Sequence, residues 1–99
     1  MLKRYVIERE IKDVGRLGGA DIGEAARRSN SALARLSGIQ WVHSYVADHK
    51  TFCIYLAESE DLIREHARLS GFPANKITEI KGMMDPTTEQ LCELVRAVA

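Results

Sequence analysis

Along the chain, runs in which apolar side chains alternate with polar ones give way to runs in which they recur every three or four residues, and Gly, Pro and Asp mark the changes. Residues 4–11 (Arg-Tyr-Val-Ile-Glu-Arg-Glu-Ile) have the alternation and β-rich composition of a strand, which Gly15, Gly18 and Gly19 then break. From Asp21, the small or apolar positions Ile22, Ala25, Ala26, Ser29, Leu33 and Leu36 keep a helical period, with Glu24, Arg27, Arg28 and Arg35 mostly on the other side. This predicts an amphipathic helix, opened by Asp21 and Glu24 as a variant capping box and stopped by Gly38. Residues 40–47 and 51–57 read as two strands joined by Asp48-His49-Lys50. A three-residue loop sets Val46 against Phe52, Tyr45 against Cys53, Ser44 against Ile54 and His43 against Tyr55. Ser59 caps a second helix whose inward face is Leu62, Ile63, His66, Ala67 and Ser70, and which Gly71 and Pro73 end. Residues 76–81 form a short fourth strand. After Gly82-Met83-Met84, Asp85 and Pro86 start a terminal helix with an apolar stripe of Leu91, Leu94, Val95 and Val98, and Cys92 beside it.

The order strand, helix, strand, strand, helix, strand predicts an α+β protein of ferredoxin-like βαββαβ topology, with both helices on one face of an antiparallel sheet. Residues 1–81 make that domain, and 82–99 a linker and helix that pack on the sheet or on a partner subunit. Sorting the strands by parity puts the aliphatic set Val42, Val46, Phe52, Ile54 and Leu56 under the helices, with Tyr5, Ile7 and Ile11 of the first strand. The open face then receives Trp41, His43, Tyr45, Cys53 and Tyr55, with Val6 and Glu8. So much exposed aromatic area predicts an interface, and a homodimer with two sheets face to face is the expected solution.

Composition narrows the function. The chain has 99 residues, 45% of them hydrophobic, so one core and one domain are expected. Fourteen basic residues balance 14 acidic ones, and they are interleaved, which argues against a nucleic-acid partner. The longest apolar run, residues 52–57, is far short of the roughly 18–20 residues needed to span a bilayer, so no membrane association is expected. The start acquires Glu8 before an apolar signal region could form, and Cys53 and Cys92 have no CxxC spacing, both of which suit a reducing cytoplasm.

The open face suggests chemistry. Thiolate and imidazole are strong ligands for nickel, zinc or copper, and a carboxylate or phenolate can complete the shell, so Glu8, His43, Tyr45 and Cys53 form a candidate metal site. The plainer reading makes Cys53 core packing, His43 a hydrogen-bonded interface residue and Glu8 a paired acid. His66 reads first as a core histidine holding helix to sheet, on the far side from His43. His49, in the turn beside Asp48, reads as solvated and Cys92 as packing or surface. Ser44 has no recognisable general base, and the glycines at 15, 18 and 19 make no nucleotide cradle.

Together, Trp41-Val42-His43-Ser44-Tyr45-Val46, Phe52-Cys53-Ile54-Tyr55-Leu56-Ala57, Glu65-His66-Ala67, Gly71-Phe72-Pro73-Ala74-Asn75-Lys76-Ile77 and Asp85-Pro86-Thr87-Thr88 resemble a family of small bacterial ferredoxin-like proteins, mostly of unknown function and in part nickel-binding. The resemblance covers about residues 39–88 and implies a dimeric α+β barrel and a nickel-binding role. The matching positions with ligand chemistry are His43, Tyr45, Cys53 and His66; Glu8 comes from the face argument. Because ferredoxin-like sheets host several functions, three readings follow, one of them a binding module with no chemistry in which the aromatics simply build the interface. The first is a small cytoplasmic nickel-binding protein that is not an enzyme. The alternative is a cofactor-free monooxygenase- or isomerase-like enzyme with a small apolar substrate, in which His43 is the acid–base group, Tyr45 and Tyr55 orient the substrate and Trp41 lines the cleft.

Overall fold

Strand β1 (Lys3–Glu10) is followed by a short 3-10 turn at Val14–Arg16, helix α1 (Gly19–Leu33), the hairpin β2 (Ile39–Val46) and β3 (Lys50–Ala57), helix α2 (Glu60–Ser70) and strand β4 (Lys76–Ile80). A 3-10 turn at Pro86–Glu89 then leads into helix α3 (Gln90–Val98). The structure, a computed structural model, describes residues 1–98 and side chains through Leu94, so Val95 and Val98 of the expected stripe lie outside the described side chains. The four strands form one antiparallel sheet in the order β2-β3-β1-β4, with the two crossovers made by α1 and α2.

Local chemistry explains two of the helix ends directly. Asp85 accepts from the Thr87 amide while the Thr88 hydroxyl accepts from the Asp85 amide, a reciprocal cap with Pro86 at the first helical position. Gly71 closes α2 at φ 80°, a left-handed conformation that glycine adopts without steric cost. The start of α1 differs from expectation. Gly18 occupies the cap position with no side-chain hydrogen bond, Asp21 falls in the first turn, and Glu24 pairs with Arg27 at 2.6 Å. The helix also ends at Leu33, and Gly38, at φ 77°, turns the chain toward β2 instead of stopping the helix.

The sheet faces are the main correction. On β3 the buried positions are Thr51, Cys53, Tyr55 and Ala57, and on β1 they are Tyr5, Ile7 and Arg9; these pack with Ile39 and Ile63 beneath the helices. The aliphatic set Phe52, Ile54 and Leu56 is therefore on the open face with Val6, while Cys53, Tyr55 and Trp41 are on the covered one. Pairing with β1 ties the parity of β3 to that of Tyr5 and Ile7, and two local events then set β2 relative to β3. The hairpin turn is one residue shorter than the spacing suggested: the Ala47 amide donates to the Lys50 carbonyl at 2.8 Å, and Val46 lies opposite Thr51. A one-residue change of register exchanges the faces. Farther along β2, a bulge between Trp41 and His43 sets Trp41 against Tyr55 and His43 against Ile54. The bulge brings Trp41 and Ser44 to one side, where the indole Nε1 donates to Ser44 Oγ at 2.9 Å.

Helices α1 and α2 are tied by Arg28, whose Nη2 donates to the Ser70 carbonyl at 2.7 Å and whose guanidinium lies 4.6 Å from the Phe72 ring centre. Helix α3 presents Leu91 and Leu94 at 59% and 60% exposure. The molecule measures 53 × 30 × 20 Å.

Candidate functional site

The sheet separates two groups of chemistry-bearing side chains. On the open face, the alternation after the bulge projects His43 and Tyr45 outward, with His43 Nε2 and the Tyr45 hydroxyl 3.1 Å apart and the two rings edge to face. Tyr45 is 61% exposed. Glu8 is on the same face but two strands away, opposite Phe52, and it is engaged by Lys50 Nζ at 3.3 Å. Cys53 and His66 are on the other side of the sheet. Of the five expected ligands, His43 and Tyr45 therefore stand together, Glu8 shares their face, and Cys53 and His66 are separated from them by the sheet. Among the described residues no three of His, Cys, Asp or Glu gather as a metal shell requires. The donors of one chain do not by themselves fit a nickel ion: an imidazole with one phenol beside it is half a shell, and a metal at Glu8 would have to displace Lys50.

On the covered face, a cleft of about 190 Å³ opens between α1, the Val14–Arg16 turn and the sheet. Its wall is largely aliphatic, from Ile11, Val14, Leu17 and Ile22, and its floor carries Trp41, Ser44, Cys53, Tyr55 and Arg9. Gly15 fits where it does because its amide donates to the Asp48 carbonyl at 3.0 Å and the hairpin backbone leaves no room for a side chain. His49 has a structural task in the same corner, its Nδ1 accepting from the Asp13 amide at 3.0 Å. Cys53 Sγ lies 3.5 Å from the Thr51 hydroxyl.

Behind the floor, His66 Nε2 lies 3.2 Å from Ser29 Oγ and 3.3 Å from the Ser29 carbonyl, and Ser29 Oγ is 3.3 Å from the Tyr55 hydroxyl. A carbonyl only accepts, so Nε2 carries the proton and donates it to Ser29; Nδ1 is then a buried lone pair with no partner. Burial holds His66 below its ordinary pKa, opposed by the Ser29 carbonyl and reinforced by the Arg9 charge. Burial also raises Tyr55, which stays a neutral phenol. In this tautomer His66 cannot take a proton from Ser29, so the trio orders the core and does not generate a nucleophile. His43, to which the enzyme reading gave acid–base work, lies across the sheet from the cleft that Trp41 and Tyr55 line.

Arg9 is the residue that pattern reading passed over. It is 2% exposed and lines the cleft; its Nη1 donates to the Pro73 carbonyl at 2.6 Å, and Nη2 is buried without a partner. Its parity with Tyr5 and Ile7 was the available signal, because all three must face the helices if any one does.

Fold and site thus define a small α+β protein with one four-stranded antiparallel sheet, a cleft on the covered face and an uncovered face bearing a histidine–tyrosine pair. Over residues 5–80 the sequence matches the profile of the family described as "Nickel responsive protein SCO4226-like", and the chain belongs to that family. The crystal structure of SCO4226 from Streptomyces coelicolor A3(2) has the same fold, with a TM-score of 0.69 at 10% identity over 82% of this chain and 99% of that one. No curated protein sequence matches the chain. No helix among the described residues is long and apolar enough to cross a membrane.

Proposed function

We propose that this protein is a small cytoplasmic nickel-binding protein that acts as a homodimer, with the metal held between the open sheet faces of two copies. The observation that carries the reading is the exposed His43–Tyr45 pair on an uncovered, partly apolar sheet. Family membership supplies the metal, since the family is described as nickel responsive. Half a ligand shell in one chain becomes a plausible shell when a two-fold axis supplies a second imidazole and phenol, and Glu8 is the nearest carboxylate candidate on that face. Val6, Phe52, Ile54 and Leu56 supply the apolar area for pairing ferredoxin-like sheets as a dimeric α+β barrel, and helix α3 sets its exposed Leu91 and Leu94 against the partner.

Nickel titration of the native chain, His43→Ala and Cys53→Ala tests this reading. Stoichiometric uptake at neutral pH that His43→Ala weakens at least tenfold, and that Cys53→Ala leaves intact, is the expected result. No uptake by the native chain, or loss in Cys53→Ala with His43→Ala unaffected, would overturn it.

A further inference from the structure

The proposed nickel site leaves the covered cleft unused, yet this cleft holds an unusual charge, Arg9. Arg9 cannot neutralise itself by losing a proton, because a guanidinium keeps its charge in proteins. Among the described residues no carboxylate pairs with it, and the six ion pairs found there all involve other residues. Its partners are one carbonyl, from Pro73, the Tyr55 phenol, whose pKa the nearby guanidinium lowers against the larger effect of burial, and the faces of Tyr55 and Phe72, whose ring centres are 6.0 and 5.8 Å from the guanidinium carbon. Ring faces attract a cation but leave an N–H unmade, and a buried charge without a counter-ion is strongly destabilising. Nη2 is that unmade donor.

From this geometry we infer that the cleft binds a small amphipathic monocarboxylate, with the carboxylate on Arg9 and the apolar body along Val14, Leu17 and Ile22. The cleft of about 190 Å³, open at its mouth, suits a short-chain or single-ring acid. Arg9 brings one unpartnered guanidinium nitrogen to a largely aliphatic lining, which matches one negative charge; a phosphate dianion needs several donors, and the lining offers no second cation. The neutral Tyr55 hydroxyl, on the same floor, is a further donor for the carboxylate.

Benzoate and hexanoate are the probes, with benzamide as the neutral counterpart, titrated into the metal-free native chain by calorimetry or followed by amide chemical shifts. The native protein is expected to bind at least one carboxylate tenfold or more tightly than benzamide. Arg9→Met, which removes the unpaired charge, is expected to fold and to lose that preference, and Ala25→Phe, which fills the cleft and keeps Arg9, to lose carboxylate binding. Equal binding of benzoate, hexanoate and benzamide, binding of none of them, tighter binding of inorganic phosphate, or an unchanged preference in Arg9→Met or Ala25→Phe would each overturn the inference. Because the site lies across the sheet from His43, nickel uptake and carboxylate binding can fail independently.

Discussion

At the scale of single residues, the covered face depends on polar groups placed under a small helical layer. His66 is neutral and fully buried, so protonating it requires a charge where only Ser29, Tyr55 and Arg9 are near. Its folded pKa is depressed below the unfolded value, so the unfolded chain binds more protons in acid. The stability it contributes is complete above about pH 6.5 and is lost as pH falls below that value toward the folded pKa. Denaturant melts should therefore show stability falling across that interval in the native protein, and a flatter profile in His66→Gln, which keeps a donor for the Ser29 carbonyl and cannot titrate. Gly15 is the second residue-scale test. A Cβ there would stand 2.7 Å from the Ala47 carbonyl oxygen and 2.8 Å from Asp48 Cα, both backbone atoms of the turn. Gly15→Ala should cost about 1–3 kcal/mol by urea denaturation, because the loop must move off the hairpin.

At the scale of elements, most of the architecture was legible because it is local. Gly71, Asp85 and Pro86 each mark a helix end by their own chemistry, Ser59 holds the cap position of α2 without a side-chain hydrogen bond, and both hairpin strands lie within a residue of their expected bounds. What was not legible was which face each strand turns to the helices. Both faces of β3 are apolar enough to be buried, and the choice rests on pairing across the sequence: Ile7 opposite Cys53 and Tyr5 opposite Tyr55 bind the parity of β3 to that of β1. The one-residue difference in the hairpin turn and the bulge at Val42 then fix β2, and neither leaves a mark in hydrophobic periodicity. For the candidate site, His43, Tyr45 and Glu8 were placed on the open face by parity and stand there, whereas Cys53 was carried to the wrong side with the rest of its strand. Arg9 was hidden because a charged residue in a strand reads as solvent-facing. An element-scale test uses the α1–α2 contact: Gly71→Ala forces a left-handed alanine and brings its Cβ to 3.1 Å from Arg28 Nη2. A loss of roughly 1–2 kcal/mol is expected by urea denaturation, from the backbone conformation alone.

At the scale of the whole molecule, the sheet is a partition. Its covered face encloses the ordered Ser29–Tyr55–His66 trio and the Arg9 cleft, and its open face presents the His43–Tyr45 pair amid Val6, Phe52, Ile54 and Leu56. Moving Phe52, Ile54 and Leu56 from the core to the open face, while Val46 stays on the covered side, strengthens the case for self-association, since the side chains left uncovered are more apolar than those the sequence pattern had assigned there. The central claim is that this face is where a second copy docks and where the metal donors of two chains meet. Sedimentation of the native protein and of Ile54→Asp at micromolar concentration tests it most directly. The native chain should sediment at twice its 11.1 kDa mass, with Ile54→Asp folded and at the monomer mass. A native monomer, or a dimer that Ile54→Asp leaves intact, would contradict the account.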